Sequence, residues 1–191
     1  MNFLAHLYLS GDSEQLMVGN FMGDFVKGKR MHDYSPEITR GIFLHREIDF
    51  FTDNHPIVAL SKQRLYATFH HYAGVLVDMF YDHMLAKNWE RFSTTTLEAF
   101  AKRSYAVLDR HKALLPEKAR FMLPYMKRDN WLLNYREPDG IARALQGMER
   151  RTKFESKLGI GIHALQTDYA SFEKEFLLFF PALIQHVQQL K

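Results

Sequence analysis

A chain of 191 residues, 47% hydrophobic and 14% aromatic, has the length and apolar content for a sizeable core and is too apolar for a disordered segment. With no cysteine, it cannot form disulfides, thiolate nucleophiles, iron–sulfur clusters or zinc ribbons. A net charge of +3 is too small an excess to demand nucleic acid, yet with a sequence pI near 9.0 it suits an acidic protein partner. No run approaches the roughly 18 apolar residues of a membrane span. The opening Met1–His6 lacks the basic region and cleavage site of a signal peptide, so a cytoplasmic location is expected.

Periodicity near 3.6 residues dominates, while strand alternation and Asn-Gly hairpin turns are missing. Helices are predicted over 2–9, 13–27, 37–52, 57–70, 73–88, 94–113, 117–128, 138–152 and 164–189, the last with a break at Pro181. Connections are short, with no linker or repeat. Residues 1–191 are therefore read as a single all-α domain, a compact multi-helix bundle.

The first segment is apolar except for His6, and a lone imidazole in such a setting is ordinarily a hydrogen-bonded core residue. In the second, started by Asp12-Ser13-Glu14, Asn20 and Asp24 are the only polar side chains between Leu16 and Val26. Four residues apart on one predicted face, they read either as a buried pair fixing helix packing or as a carboxylate ligand with its orienting neighbour. Gly19 and Gly23 would let another backbone or a substrate approach closely. Lys27, Lys29 and Arg30 form a basic exit from this segment.

Ser35 is the expected cap of the third helix, Pro36 fits its first turn, and Pro56 closes it. On its wheel Ile38, Ile42, His45 and Asp49 share one stripe, opposite Arg40 and Glu47. His45 and Asp49, four residues apart on the face expected to be buried, can reach one common point. A buried carboxylate has to be paired, protonated or bound to a cation. Asp53 extends this ladder, with Thr52 and Asn54 as suitable donors and His55 as a weaker candidate, whereas Arg46 reads as a surface ion pair. In the stretch 72–86 there is no Lys, Arg or Glu; Asp78 and Asp82 are its only charges and His83 its only imidazole. Like charges on one apolar face raise each other's pKa unless something positive, a metal cation or arginines, lies between them.

After residue 90 the patterns are ordinary. Phe121, Met122 and Tyr125 are expected core, and Trp131, Tyr135 and Met148 are potential pocket liners. Arg150, Arg151, Lys153 and Lys157 make a second basic cluster. Tyr169, Phe172, Phe176, Phe179 and Leu183 form a core stripe. By contrast, seven of ten histidines and seven of eleven aspartates precede residue 90. The candidates His6, Asp24, His45, Asp49, Asp53, Asp78, Asp82 and His83 lie on apolar helices there, and carboxylates outnumber imidazoles. Such a set suits Mn²⁺, Mg²⁺ or Fe, and one or two such ions support phosphoester hydrolysis. The ExxH pairs of a di-iron bundle and the Gly-rich loop of a P-loop NTPase are both missing. A small-phosphodiester or nucleotide hydrolase and a non-enzymatic helical binding module remain as other readings.

The segments Met1–His6, Gly19–Gly28, Gly41–Pro56 and Asp78–Leu85 resemble the acyl carrier protein phosphodiesterase family in order, spacing and overall length. Trp89 and Gly147–Arg151 add weaker support. The resemblance implies an all-helical, atypical relative of the HD-type phosphohydrolases that depends on Mn²⁺ and takes 4′-phosphopantetheine off holo-acyl carrier protein to leave apo-protein. The adjacent pair here is Asp82-His83, the reverse of the His-Asp order of ordinary HD proteins, and His32-Asp33 falls in a loop. The expected inner metal set is His45, Asp49, Asp78 and Asp82, with His6, Asp24 and His83 next and Asp53 last. Catalysis is expected from Asp24, His45 and Asp49, Asp24 serving as a ligand or as the residue that positions the attacking water. Lys27, Lys29, Arg30, Arg150, Arg151 and Lys153 are the expected contacts to the acidic carrier protein.

Overall fold

The computed structural model describes residues 1–190, and every regular element in them is helical. In order these are α1 (Phe3–Leu9), α2 (Glu14–Phe21), α3 (Pro36–Asn54), α4 (Pro56–Phe69), α5 (Ala73–Lys87), α6 (Leu97–Arg110), α7 (Glu117–Arg128), α8 (Trp131–Asn134), α9 (Pro138–Glu149), α10 (Gly161–Thr167) and α11 (Tyr169–Leu190), joined by short turns, several of them 3₁₀. All pack around one contiguous core in which Tyr81, Trp89, Phe172, Phe176 and Phe179 are the bulkiest fully buried side chains of α5, the turn after it and α11. The apolar stripe expected on the last helix is therefore core from Phe172 to Leu183.

Several boundaries depart from the sequence expectation for physical reasons. The helix expected over 13–27 stops at Phe21, and Gly23–Phe25 turn off as 3₁₀. Gly23 lies flat on the His45 ring, where an added Cβ would fall 2.2 Å from Cγ, so the chain has to leave the helix to make room for α3. Asp24 consequently sits on a turn rather than on the face of Asn20. The last predicted helix breaks at Asp168, not at Pro181. Burial of Phe179, Phe180 and Leu183 holds α11 together despite the missing proline N–H. Helix α8, too short to show a period, was not expected. Ser35 does not cap α3; its hydroxyl donates to Gln15 instead, while Ser13 and Thr96 do cap α2 and α6.

On α7 the buried positions are Ala119, Leu123 and Met126, which leaves Phe121 and Tyr125, both expected in the core, 70% and 41% exposed. They face a cleft lined also by Trp131, Tyr135 and Met148, residues whose sequence pattern reads as packing first and pocket second.

The contact that positions the site is the crossing of α2 and α3. Gly19 and Gly41 meet backbone to backbone: a Cβ on Gly19 would lie 2.1 Å from the Ile38 carbonyl oxygen, and one on Gly41 would lie 2.4 Å from that of Leu16. Only glycine at both positions allows this approach, which brings the carbonyl of Asn20 to the His45 ring.

Candidate metal centre

Three elements meet at the exposed edge of this crossing. His6 from α1 and His45 from α3 are both buried and lie ring on ring, with centroids 4.0 Å apart and planes inclined by 16°. Asp49, one turn along α3 from His45, reaches across both rings. Its Oδ1 is 3.2 Å from His6 Nε2 and its Oδ2 is 3.2 Å from His45 Nε2. One atom from each of these three residues lies within 4.8 Å of the other two.

Asn20 sets the chemistry of the rings. Its amide nitrogen donates to the His6 carbonyl (2.7 Å) and to Ser10 Oγ (3.0 Å), which turns its Oδ1 towards His6 Nδ1 at 2.8 Å. Its main-chain carbonyl accepts from His45 Nδ1 at 2.8 Å. Both rings therefore carry the Nδ1 proton, and the Nε2 of a neutral ring presents a lone pair. For His6 that lone pair faces two further oxygens, Asp49 Oδ1 and, at 3.2 Å, the carbonyl of Met1. Burial, reinforced by the charge on His45, pushes the His6 pKa down to about 4, so no proton is available to share. Electron pairs converge there, and the positive charge beside them is the Met1 ammonium, 3.6 Å from Asp49 Oδ1, and the His45 ring. Imidazole nitrogens and a carboxylate held in this way could hold a metal ion, with neighbours that fix the tautomer.

Against its burial, His45 is driven up to about 9 by the carboxylates of Asp24 and Asp49. Asp49 in turn is held far below the usual carboxylate range: its partial burial opposes this, but the hydrogen bond with His45 and the charge of the Met1 ammonium prevail. Asp24 Oδ1 is 3.2 Å from His45 Nε2, and its side chain is 64% exposed at the solvent end of the cluster. Its pKa is lowered by that same bond.

The family model described as "Acyl carrier protein phosphodiesterase" matches residues 1–183. This chain belongs to the acyl carrier protein phosphodiesterase family. Among curated relatives bearing that name, the protein from Photorhabdus laumondii is 33% identical over 189 residues, covering 98% of this chain and 96% of its own. The one from Yersinia enterocolitica is likewise 33% identical, covering 98% of each chain, and the one from Pectobacterium atrosepticum is 32% identical over 97% of this chain and 96% of its own. No solved structure matches. The family is one of hydrolases, and no described helix of this member is long and apolar enough to cross a membrane.

The remaining candidates in this phosphodiesterase-family chain are placed less uniformly. Asp78 adjoins the cluster: its Oδ1 accepts from the Met1 ammonium at 2.9 Å, and that ammonium is 3.6 Å from Asp49 Oδ1. Asp82 is fully buried, and its oxygens accept the backbone N–H groups of Asn2 (3.3 Å), Leu4 (2.7 Å) and Ala5 (3.2 Å). The positive partner expected for Asp82 is thus the amino end of α1, and burial still pushes its carboxyl up to about 7. His83 is turned elsewhere: Nδ1 donates to the Tyr135 carbonyl (2.7 Å) and Nε2 meets the Tyr169 hydroxyl (3.2 Å). Asp53 is exposed and paired with Lys62, and His55 accepts from the Ile57 N–H as the cap of α4.

Arg46 is not the surface ion pair expected. Its guanidinium holds the carbonyls of Val26 (3.2 Å) and Gly28 (3.4 Å), pinning the loop that carries exposed Lys27, Lys29 and Arg30. Arg150, Arg151 and Lys153 are exposed as well. Sequence reasoning missed Met1 and Ser10, and it paired Asn20 with the wrong partner. No periodicity marks a main-chain carbonyl as part of a site, although an Asn in an otherwise apolar helix was a signal that something had to satisfy it.

Proposed function

We propose that this chain hydrolyses the phosphodiester joining 4′-phosphopantetheine to a serine of holo-acyl carrier protein, leaving apo-protein. The reaction uses a divalent cation, Mn²⁺ first and Mg²⁺ or Fe as alternatives, held by His6, His45 and Asp49. The observation that carries this reading is the His6 Nε2 lone pair facing Asp49 Oδ1 and the Met1 carbonyl. Bound there, the cation supplies the positive charge that a phosphoryl group needs during displacement. The chain's own groups do the rest. Asn20 keeps both Nε2 atoms turned to the site. Asp24, at the solvent side and bonded to His45, orients the attacking water. Asp78, which shares the Met1 ammonium with Asp49, is the next carboxylate available to the cation.

An acidic carrier protein also fits the surface. Lys27, Lys29 and Arg30 on the pinned loop and Arg150, Arg151 and Lys153 beyond α9 give two exposed basic groups that would speed encounter with it. The test is the intact mass of holo-acyl carrier protein after incubation with the enzyme and Mn²⁺, beside an EDTA control. Loss of the phosphopantetheine mass only in the metal-containing tube is expected. Unchanged mass in both tubes would overturn the reading.

A further inference from the structure

A cleft of about 720 Å³ opens between α7, α8 and α9, built from residues outside the metal cluster. That volume falls in the range of small-molecule sites. Its walls are apolar and soft: Phe121, Met122, Tyr125, Trp131 and Met148. Phe121 and Tyr125 are left exposed here although the same helix buries Leu123 and Met126, so the aromatic rings face open space rather than core. Exposed aromatic and thioether groups gathered around a concavity are a typical signature of a ligand surface.

The rim is mainly basic. Arg143, Arg150 and Arg151 line the cleft, and none of the three forms an ion pair with a described residue. The one acidic liner, Asp129, is already held by Arg128 through bonds of 2.7 and 2.9 Å. Guanidinium groups with no carboxylate in ion-pair range, although Arg143 acts on Asp129 from farther off, match beside an apolar hollow a ligand with an apolar body and an anionic head. Gly147 also lines the hollow, and a Cβ built on it meets no atom within 4 Å. The α9 wall thus leaves room that a side chain would fill.

We propose that this cleft binds a single-chain amphipathic anion of the fatty-acid type, its chain along the Phe121–Trp131–Met148 walls and its carboxylate at Arg143, Arg150 and Arg151. The probe is dodecanoate, read by fluorescence of Trp131; Trp89, the other tryptophan, is buried away from the cleft. Titration of the full chain is expected to give a saturable change that Trp131→Phe removes, with the uncharged dodecanol at least tenfold weaker. Arg143→Gln should weaken dodecanoate at least tenfold. Gly147→Leu should abolish binding while leaving the helical circular dichroism unchanged, because leucine is the better helix former. The proposal is overturned if dodecanoate gives no saturable change, if dodecanol binds as tightly, or if both variants bind as the parent does.

Discussion

The Asn20 side chain makes three hydrogen bonds, two with His6 and one with Ser10, while its main chain serves His45. Asn20→Ala removes the acceptor of His6 Nδ1 but leaves the carbonyl that orients His45. Loss of one such orienting bond typically weakens metal binding by about 10–100-fold. The same truncation uncovers buried donors, costing roughly 1–3 kcal/mol of stability. Mn²⁺ titration followed by calorimetry, together with urea unfolding, separates the two effects; unchanged affinity would remove Asn20 from the site.

His45 makes a second prediction, for the chelated protein. Its folded-state pKa of about 9 lies above the usual 6.5, so the folded chain keeps a proton that the unfolded chain releases. The stabilisation is full below pH 6.5 and is lost as pH rises to about 9, a total of about 3 kcal/mol. The Met1 ammonium, raised by Asp78 and Asp49 against its burial, acts in the same direction above pH 8.0. Urea unfolding of EDTA-treated protein should therefore show falling stability across this window, with a markedly smaller fall in His45→Gln. Added Mn²⁺ competes with that proton, so its affinity should rise over the same range.

Between elements, the α2–α3 crossing leaves no room for change. Gly41→Ala drives a methyl towards the Leu16 carbonyl and the Gly19 Cα, and neither is a flexible side chain. The helices must part, at a cost of about 1–3 kcal/mol, and His45 moves off the Asn20 carbonyl. Denaturant unfolding and kcat on a common preparation should both fall. Asp82 has a comparable role for α1. Asp82→Ala strips the amino end of that helix of its acceptor and should cost about 2 kcal/mol. It should also loosen His6 and weaken Mn²⁺ binding, whereas Asp82→Asn, which keeps an acceptor oxygen, should recover part of both.

The sequence showed which helix faces were polar where apolar residues were due, and so it placed His45 and Asp49 with Asp78 and Asp82 in the inner set and His6 only next to them, whereas the structure gathers His6, His45 and Asp49. It could not separate a carboxylate set between imidazoles from one facing a helix terminus. Asp82 carries the same signal as Asp49, and its three amide partners lie 77 to 80 residues away. Helix existence was legible from periodicity. The end of α2 was not, because it depends on where the His45 ring lies.

For the molecule as a whole, the two basic groups carry a prediction about substrate. Reversing Lys27, Lys29 and Arg30 to glutamate should raise KM for acyl carrier protein several-fold and flatten its salt dependence. Turnover of a small phosphodiester such as bis(4-nitrophenyl) phosphate should stay as in the parent. Equal effects on both substrates would mean that the loop acts on the metal centre rather than on docking.

The amides of Asn2, Leu4 and Ala5 are held by a residue about eighty positions downstream, and this orders events during synthesis. At about 5–20 residues per second the ribosome makes Asp82 roughly 4–16 seconds after α1. Until then α1 has α2 beside it but not α5, so Leu4, Leu7 and Leu9, all buried in the finished molecule, lack part of their cover. Helix α1, made well before α5, is among the last elements to settle. For that interval it is an apolar nascent segment of the sort chaperones hold, and metal can be captured only after it is released.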